Sequence, residues 1–371
     1  MELNGPIEKY LYKKIVDRPE NESADTRAHV LTDVEAKALK KIQFWAMFNA
    51  AIAGALGVVV LYVPKYIWGE ALFPVTDVWL PFYDDYIQVE AVFLLFSLVL
   101  VVIEIAYLTY NNIQTVKKIA HACNYPQLED PFYEVNMKSI IAVGLEKNVK
   151  AQSQIGINPF AGLSRWQVLT FTILNLAKAA MTNFLFKLIV KRAFGRYAIR
   201  ILVDLAGIPV YAFWNAYAAR FVVKESRVRI MANPIIKDFA LTLKEEQKDN
   251  QEFRDELYYM LDFVAITKRK FHANHYMLAL VVLDAFDIEH DPNHEYDEQF
   301  LERMKTKASP LTIAGFSKVN LMGMALDGTI SQKEQFKIKS WRDDGIYNYT
   351  LEETKKTTDE FFSGAGELSI L

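Results

Sequence analysis

Four of the six histidines, His272, His275, His290 and His294, fall in one short stretch that also carries Asp287, Asp291 and Glu295. Imidazole and carboxylate together suit zinc, manganese or nickel. Pro292 stands between His290 and His294. It argues against the regular helix that an i,i+4 ligand pair needs. A polar surface loop is the simpler account. Further on, Asp327-Gly328-Thr329-Ile330 leads to Ser331 and Glu334. Setting Gly328 at the glycine position of a calcium loop puts Gly323 and Ala325 where the first carboxylates belong. The EF-hand arrangement therefore fails. What remains is a divalent-cation site shared between two loops, with Asp287, His290, Asp327 and Glu334 as candidate ligands. The competing reading is that Asp327 only makes the turn and Glu334 caps its own helix. Nucleophilic catalysis has no support. Cys123 has no positioned base, and the chain carries no G-x-S-x-G elbow and no phosphate-cradling glycine loop. The expectation is a non-enzymatic protein, with no cofactor identified beyond that divalent cation.

A second group of polar residues stands out for its surroundings. Phe44–Val63 holds twenty residues without a charge. A helix of that length rises about 30 Å, the thickness of a bilayer's hydrocarbon core. Val89–Tyr107 is a second apolar stretch, interrupted by Glu90 and Glu104. Glu104 and Asn49 are therefore intramembrane polar candidates. The bland alternative is that Glu104 snorkels, or bonds Asn49 or a basic residue near the inner surface. Ala50 with Gly54, and Ala53 with Gly57, form small-xxx-small pairs. Such pairs admit a neighbouring helix, either the second span or a second copy of the chain.

These two helices set the layout. Lys37, Lys40 and Lys41 precede them and Lys117 and Lys118 follow. The loop between them holds Lys65 against Glu70, Asp77, Asp84 and Asp85. The positive-inside rule then places both termini in the cytoplasm. Trp68, Trp79, Phe82 and Tyr83 suit an interfacial belt. Thr32 or Asp33 caps the helix entering the first span. The second span continues to Ala122, stopping before Asn124-Tyr125-Pro126. A helix is expected over Glu134–Ala151.

Two further apolar runs, Gln167–Val190 and Ile201–Ala219, pass a hydropathy test. Crossing there would export Lys187, Lys191, Arg192, Arg196 and Arg200, against the charge rule. The expectation is a helical domain that hugs the inner leaflet, or dips into it as a re-entrant hairpin, with those five basic residues on anionic headgroups. Basic residues interleaved with Phe, Leu and Ile beside a membrane anchor do not point to nucleic acid.

GIPVYAFWNAYAARFVVKESRVRIM, with Asn215 in its helix, resembles the signature end of the EcsC family, whose members are membrane-associated; Tyr211, Ala212 and Phe213 replace glycines usual there. MGMALDGTISQKEQFKI resembles the ADGxIsxxE loop of the TerB family, small all-helical domains whose acidic loops can hold a cation. Neither resemblance carries catalytic residues over. The expected fold is all-α: a transmembrane two-helix hairpin plus cytoplasmic helical domains. Its parts are N-terminal helices and linker over 1–43, the hairpin over 44–110, an EcsC-like domain over 111–233, a TerB-like acidic domain over 234–340, and a helix with a tail over 341–371. Together they imply a bacterial cytoplasmic-membrane scaffold or sensor for an envelope or stress pathway. Its partners would be inner-leaflet lipids, a further protein and, in a homo-oligomer, a second copy of itself. The alternatives are an oligomeric ion channel or transporter subunit and a membrane-bound metal-dependent hydrolase.

Overall fold

The computed structural model describes residues 32–80, 85–126, 130–145, 155–170, 207–269 and 272–363. Outside them lie the N-terminal helix expected before residue 32, Phe82 and Tyr83, the basic residues Lys187, Lys191, Arg192, Arg196 and Arg200, most of the Gln167–Val190 run and the final tail. The fold is all-α, as expected, with one short β-hairpin among the described residues.

Helix α1, Asp33–Leu72, starts at the predicted cap: the Thr32 hydroxyl accepts from the Glu35 amide at 3.3 Å, and Glu35 accepts from the Thr32 amide at 2.9 Å. This reciprocal pair satisfies two donors that the first turn leaves open. The helix runs on past Pro64 and bends at Gly69, whose φ is 45°. Glycine adopts that conformation without the cost a side chain brings. Strands β1, Thr76–Leu80, and β2, Asp85–Val89, pair antiparallel with Thr76 opposite Val89 and Leu80 opposite Asp85. Helix α2, Ala91–Ala122, begins just after Glu90, so Glu90 stands at the helix mouth and pairs with Lys65. A carboxylate at a helix N-terminus meets the positive end of the dipole. Helix α2 therefore carries one acidic residue, Glu104. Its helix ends as predicted: Asn124 takes the left-handed conformation at φ 46°, and the Tyr125 amide reaches back to the Ala120 carbonyl at 2.9 Å. Such a left-handed residue satisfies carbonyls that the last turn leaves open.

Helices α1 and α2 are both long and apolar enough to cross a membrane, and the apolar stretch of α2 is not buried by the rest of the chain. Leu94, Leu98, Val102 and Ile105 on α2 are exposed. Contiguous exposed apolar surface of this extent marks a site of contact with a membrane or another protein.

Helix α3, Tyr133–Gly144, forms the first part of the expected helix; residues 146–151 of that expectation lie outside the described residues. Helix α4, Gly207–Gln247, is followed by α5, Gln251–Lys268, α6, Ala273–Ala285, α7, Phe300–Thr306, α8, Pro310–Ala325, α9, Gln332–Asp343, and α10, Leu351–Ser363.

The chain divides into two compact units. One comprises Leu39–Lys118 and Thr170–Val223; the other comprises Met1–Ala38, Ile119–Leu169 and Lys224–Leu371. Helix α4 runs across the expected boundary between 111–233 and 234–340. Helix α4 continues through Pro234, because both sides of it are held: Asn233 donates to the Asp130 carboxylate, and Lys237 pairs with the same group at 2.8 Å. The second unit has its own apolar core. Leu257, Val264, Leu278, Leu283, Phe316 and Met324 are fully or nearly fully buried in it. Phe263, Phe300, Phe316 and Trp341 meet ring to ring at centroid distances of 5.1–5.9 Å. The Ser331/Glu334 capping box forms as the sequence predicts, and Thr350 and Glu353 make a second one.

Candidate functional site

In the first unit, Ala46, Ala50, Gly54 and Val58 are buried and recur every four residues along α1. This spacing lays them in one stripe on one helix face. A Cβ on Gly54 would stand 2.7 Å from the Asn215 amide nitrogen and 2.7 Å from the Tyr211 carbonyl oxygen, so α4 approaches backbone to backbone there. Gly207 lies against Val58. Gly57, of the other small-residue pair, faces α2, where its Cβ would be 3.4 Å from the Glu104 carboxylate. The two glycines therefore serve two different neighbours.

Glu104 Oε1 accepts from Asn215 Nδ2 at 2.6 Å. Among the described residues Asn215 engages Glu104; Asn49, one of the partners weighed from the sequence, is half-buried on α1. The main chain of α1 is instead gripped from α2, where Asn111 Nδ2 donates to the Ala46 carbonyl at 3.1 Å. Asn111 is buried and was missed in the sequence, because it lies past the apolar stretch. Asn215 was singled out by the EcsC resemblance, but nothing in the sequence joined it to Glu104.

In the second unit the four candidate metal ligands do not converge. Asp287 pairs with Lys244 at 3.3 Å, and His290 with Asp284 at 3.1 Å. Asp327 and Glu334 do face a common point, and a side chain of the protein occupies it. Lys268 Nζ lies 3.0 Å from Asp327 Oδ1, 3.4 Å from Glu334 Oε2, 3.1 Å from the Thr329 carbonyl and 3.3 Å from the Met324 carbonyl. Four oxygens around one ammonium make a cation cage closed from within. No group of three or more His, Cys, Asp or Glu is arranged for a metal ion among the described residues. The simpler reading of the loop also holds in detail: Asp327 Oδ1 accepts from the Thr329 amide at 3.1 Å, Gly328 turns with φ 66°, and Glu334 accepts from the Ser331 amide at 2.7 Å. A signal for Lys268 was present. Leu257, Leu261, Val264 and Lys268 fall on one helical stripe, which places a charge at the end of a buried apolar face.

The histidines are architectural. His272 is the N-cap of α6, its Nδ1 accepting from the Asn274 amide at 3.1 Å, and Nε2 then donates to Glu225. His275 Nδ1 accepts from the His272 amide at 3.2 Å and Nε2 donates to the Gly323 carbonyl at 2.8 Å. Both ring nitrogens are committed to the neutral form, and burial pushes the imidazole down to about 3. Burial acts this way because it penalises the charged ring. Burial alone would raise the Glu225 carboxyl, but His272 and Arg229 outweigh it and hold the group at about 2. Arg229 also reaches the Ser139 hydroxyl at 3.0 Å, tying α4 to α3. His294 Nε2 lies 2.8 Å from Asp262 Oδ2; burial raises the Asp262 carboxyl, and its Oδ1 has no hydrogen-bond partner among the described residues.

Compared with protein-family models, curated proteins and solved structures, the chain matches none.

Proposed function

We propose that the protein is a non-enzymatic, membrane-tethered scaffold of a bacterial cytoplasmic membrane, with both termini in the cytoplasm, working in an envelope or stress pathway. The observation that carries this reading is the division of labour along the chain. Two helices are long and apolar enough to cross a membrane, and a separate unit with a large core of its own offers surface for a partner. In this reading the TerB-like stretch 234–340 recruits a protein, and the EcsC-like stretch 111–233 binds inner-leaflet lipid. The cation-responsive version is the weaker one, because Lys268 already fills the point between Asp327 and Glu334. Crosslinking in native membranes followed by capture of the full-length protein tests the scaffold. Recovery of one stoichiometric partner supports it, and recovery of lipid alone sinks it.

A second reading is an oligomeric channel or transporter subunit. It draws on the Glu104–Asn215 contact, a carboxylate within a span held by an amide. Ion flux into vesicles carrying the purified protein, abolished by Glu104→Gln, would favour it; the scaffold predicts no flux from either protein. The hydrolase reading gains nothing from the geometry, since His290 and Asp327 have separate partners.

A further inference from the structure

We infer that residues Gly207–Phe221 of α4 are embedded in the bilayer as a third helix beside α1 and α2, with lipid acyl chains covering their aromatic face. The inference rests on the reading that α1 and α2 span the membrane, and it concerns depth. Gly54 is the middle of the uncharged stretch Phe44–Val63. At about 1.5 Å per residue, it lies roughly 15 Å from either end of that stretch. Whatever touches Gly54 backbone to backbone lies at that depth too. Tyr211 does so through its carbonyl, and the Asn215 side-chain Nδ2 reaches the same point. Two more contacts agree. Gly207 lies against Val58, and Asn215 bonds Glu104, which is flanked on α2 by exposed Val102, Ile103 and Ile105. As α1 numbers fall from 58 to 54, α4 numbers rise from 207 to 211 and 215, so α4 runs antiparallel to α1.

The composition fits this position. Gly207–Ala219 carries no charge, and the first basic residues come at Arg220 and Lys224. Arg220 lies about 7.5 Å along the helix from Asn215, within reach of a headgroup for a long side chain that snorkels. Phe213, Trp214, Tyr217 and Phe221 are exposed, and the first three meet ring to ring at 5.6–6.3 Å. At the depth of Gly54 the medium beside them is hydrocarbon. Of the two placements expected from the charge pattern, a helix lying on the membrane surface would not reach mid-span, and one dipping into it would. Thirteen uncharged residues rise about 20 Å, short of a full crossing, so this is an embedded rather than a spanning segment. The Asn215 amide then gives Glu104 a donor where water does not.

The test is depth measurement on the full chain in phosphatidylcholine–phosphatidylglycerol vesicles. Nitroxide labels go on single cysteines at Phe213 or Tyr217, in a Cys123→Ala background. Val102→Cys serves as the in-span reference and Phe336→Cys as the aqueous one; all four positions are exposed, so labelling leaves the core intact. The expected result is that oxygen accessibility exceeds that to a water-soluble nickel chelate severalfold at 213 and 217, as at 102. Access of the nickel chelate at 213 and 217 comparable to that at 336, with 102 still lipid-like, overturns the inference and leaves the two spans standing. A nickel-accessible 102 overturns the spans themselves. A label at 213 or 217 that is immobilised and shielded from both reagents shows a protein covering the face, and that also overturns the inference.

Discussion

Lys268 is the residue whose removal the geometry makes most consequential. Its side chain is 1% exposed, and its two carboxylate partners, Asp327 and Glu334, are 17% and 10% exposed. Lys268→Met keeps most of the volume and deletes the charge. It leaves two carboxylates near one another, and two carbonyls lose a donor. Breaking a buried ion pair by removing one partner costs about 3–5 kcal/mol, and the partial exposure of Asp327 favours the lower end. For a unit of this size about 3 kcal/mol lowers the melting temperature by roughly 6–12 °C. Thermal unfolding of the full-length protein in detergent, followed through tryptophan emission, measures this, since Trp341 is buried in the same unit. The triple variant Lys268→Met/Asp327→Asn/Glu334→Gln separates charge from packing, because it removes the uncompensated carboxylates as well. It should regain most of the loss. A single variant melting within about 2 °C of the parent would refute the cage as a stabilising element. A triple variant as weak as the single one would refute charge as the reason.

Other perturbations follow from the same geometry. Emptying the cage further with Lys268→Ala leaves four oxygens without a cation, so millimolar calcium should raise the melting temperature of that variant and not of the parent; calorimetric scans with and without calcium decide it. Gly54→Ala places a methyl 2.7 Å from the Tyr211 carbonyl oxygen. Overpacking of this kind should cost about 1–3 kcal/mol. Gly57→Ala meets only a flexible carboxylate at 3.4 Å. As a mild substitution it should fall within about 0.5 kcal/mol of the parent. Equal losses for both in denaturant titrations would contradict the close approach of α4. His275 titrates near 6.5 when unfolded and near 3 when folded. Its folded value is depressed, so its contribution is complete above about 6.5 and is lost as the pH falls toward 3, at up to about 1.4 kcal/mol per pH unit. Denaturant melts between pH 7 and 4 should show this slope flattened in His275→Gln. Glu225 is depressed in the same sense, to about 2 from the ordinary 4.5. Glu225→Gln should therefore cost on the order of 2–3 kcal/mol at pH 7, and the gap to the parent should close as the pH drops from about 4.5 toward 2.

The sequence by itself determined the all-helical class, the two helices long and apolar enough to cross a membrane, the start of α1 at Thr32, the exit of α2 at Asn124 and the capping boxes at Ser331 and Thr350. These are local properties, set by hydropathy over one helix length or by side chains three residues apart. Tertiary structure decided which polar groups meet. Lys268 and Asp327 are far apart in the chain, as are Glu104 and Asn215, and neither pairing has a short-range signature. A run of His and Asp residues looked like ligands because spacing along a chain says nothing of which way each ring faces; His272 and His275 face the backbone of their own helix, and His294 faces Asp262. Continuity of α4 through Pro234 was likewise a tertiary outcome. The proline removes a single hydrogen bond. The Asp130 carboxylate, gripped by Asn233 and Lys237 on either side of that proline, holds the helix in line.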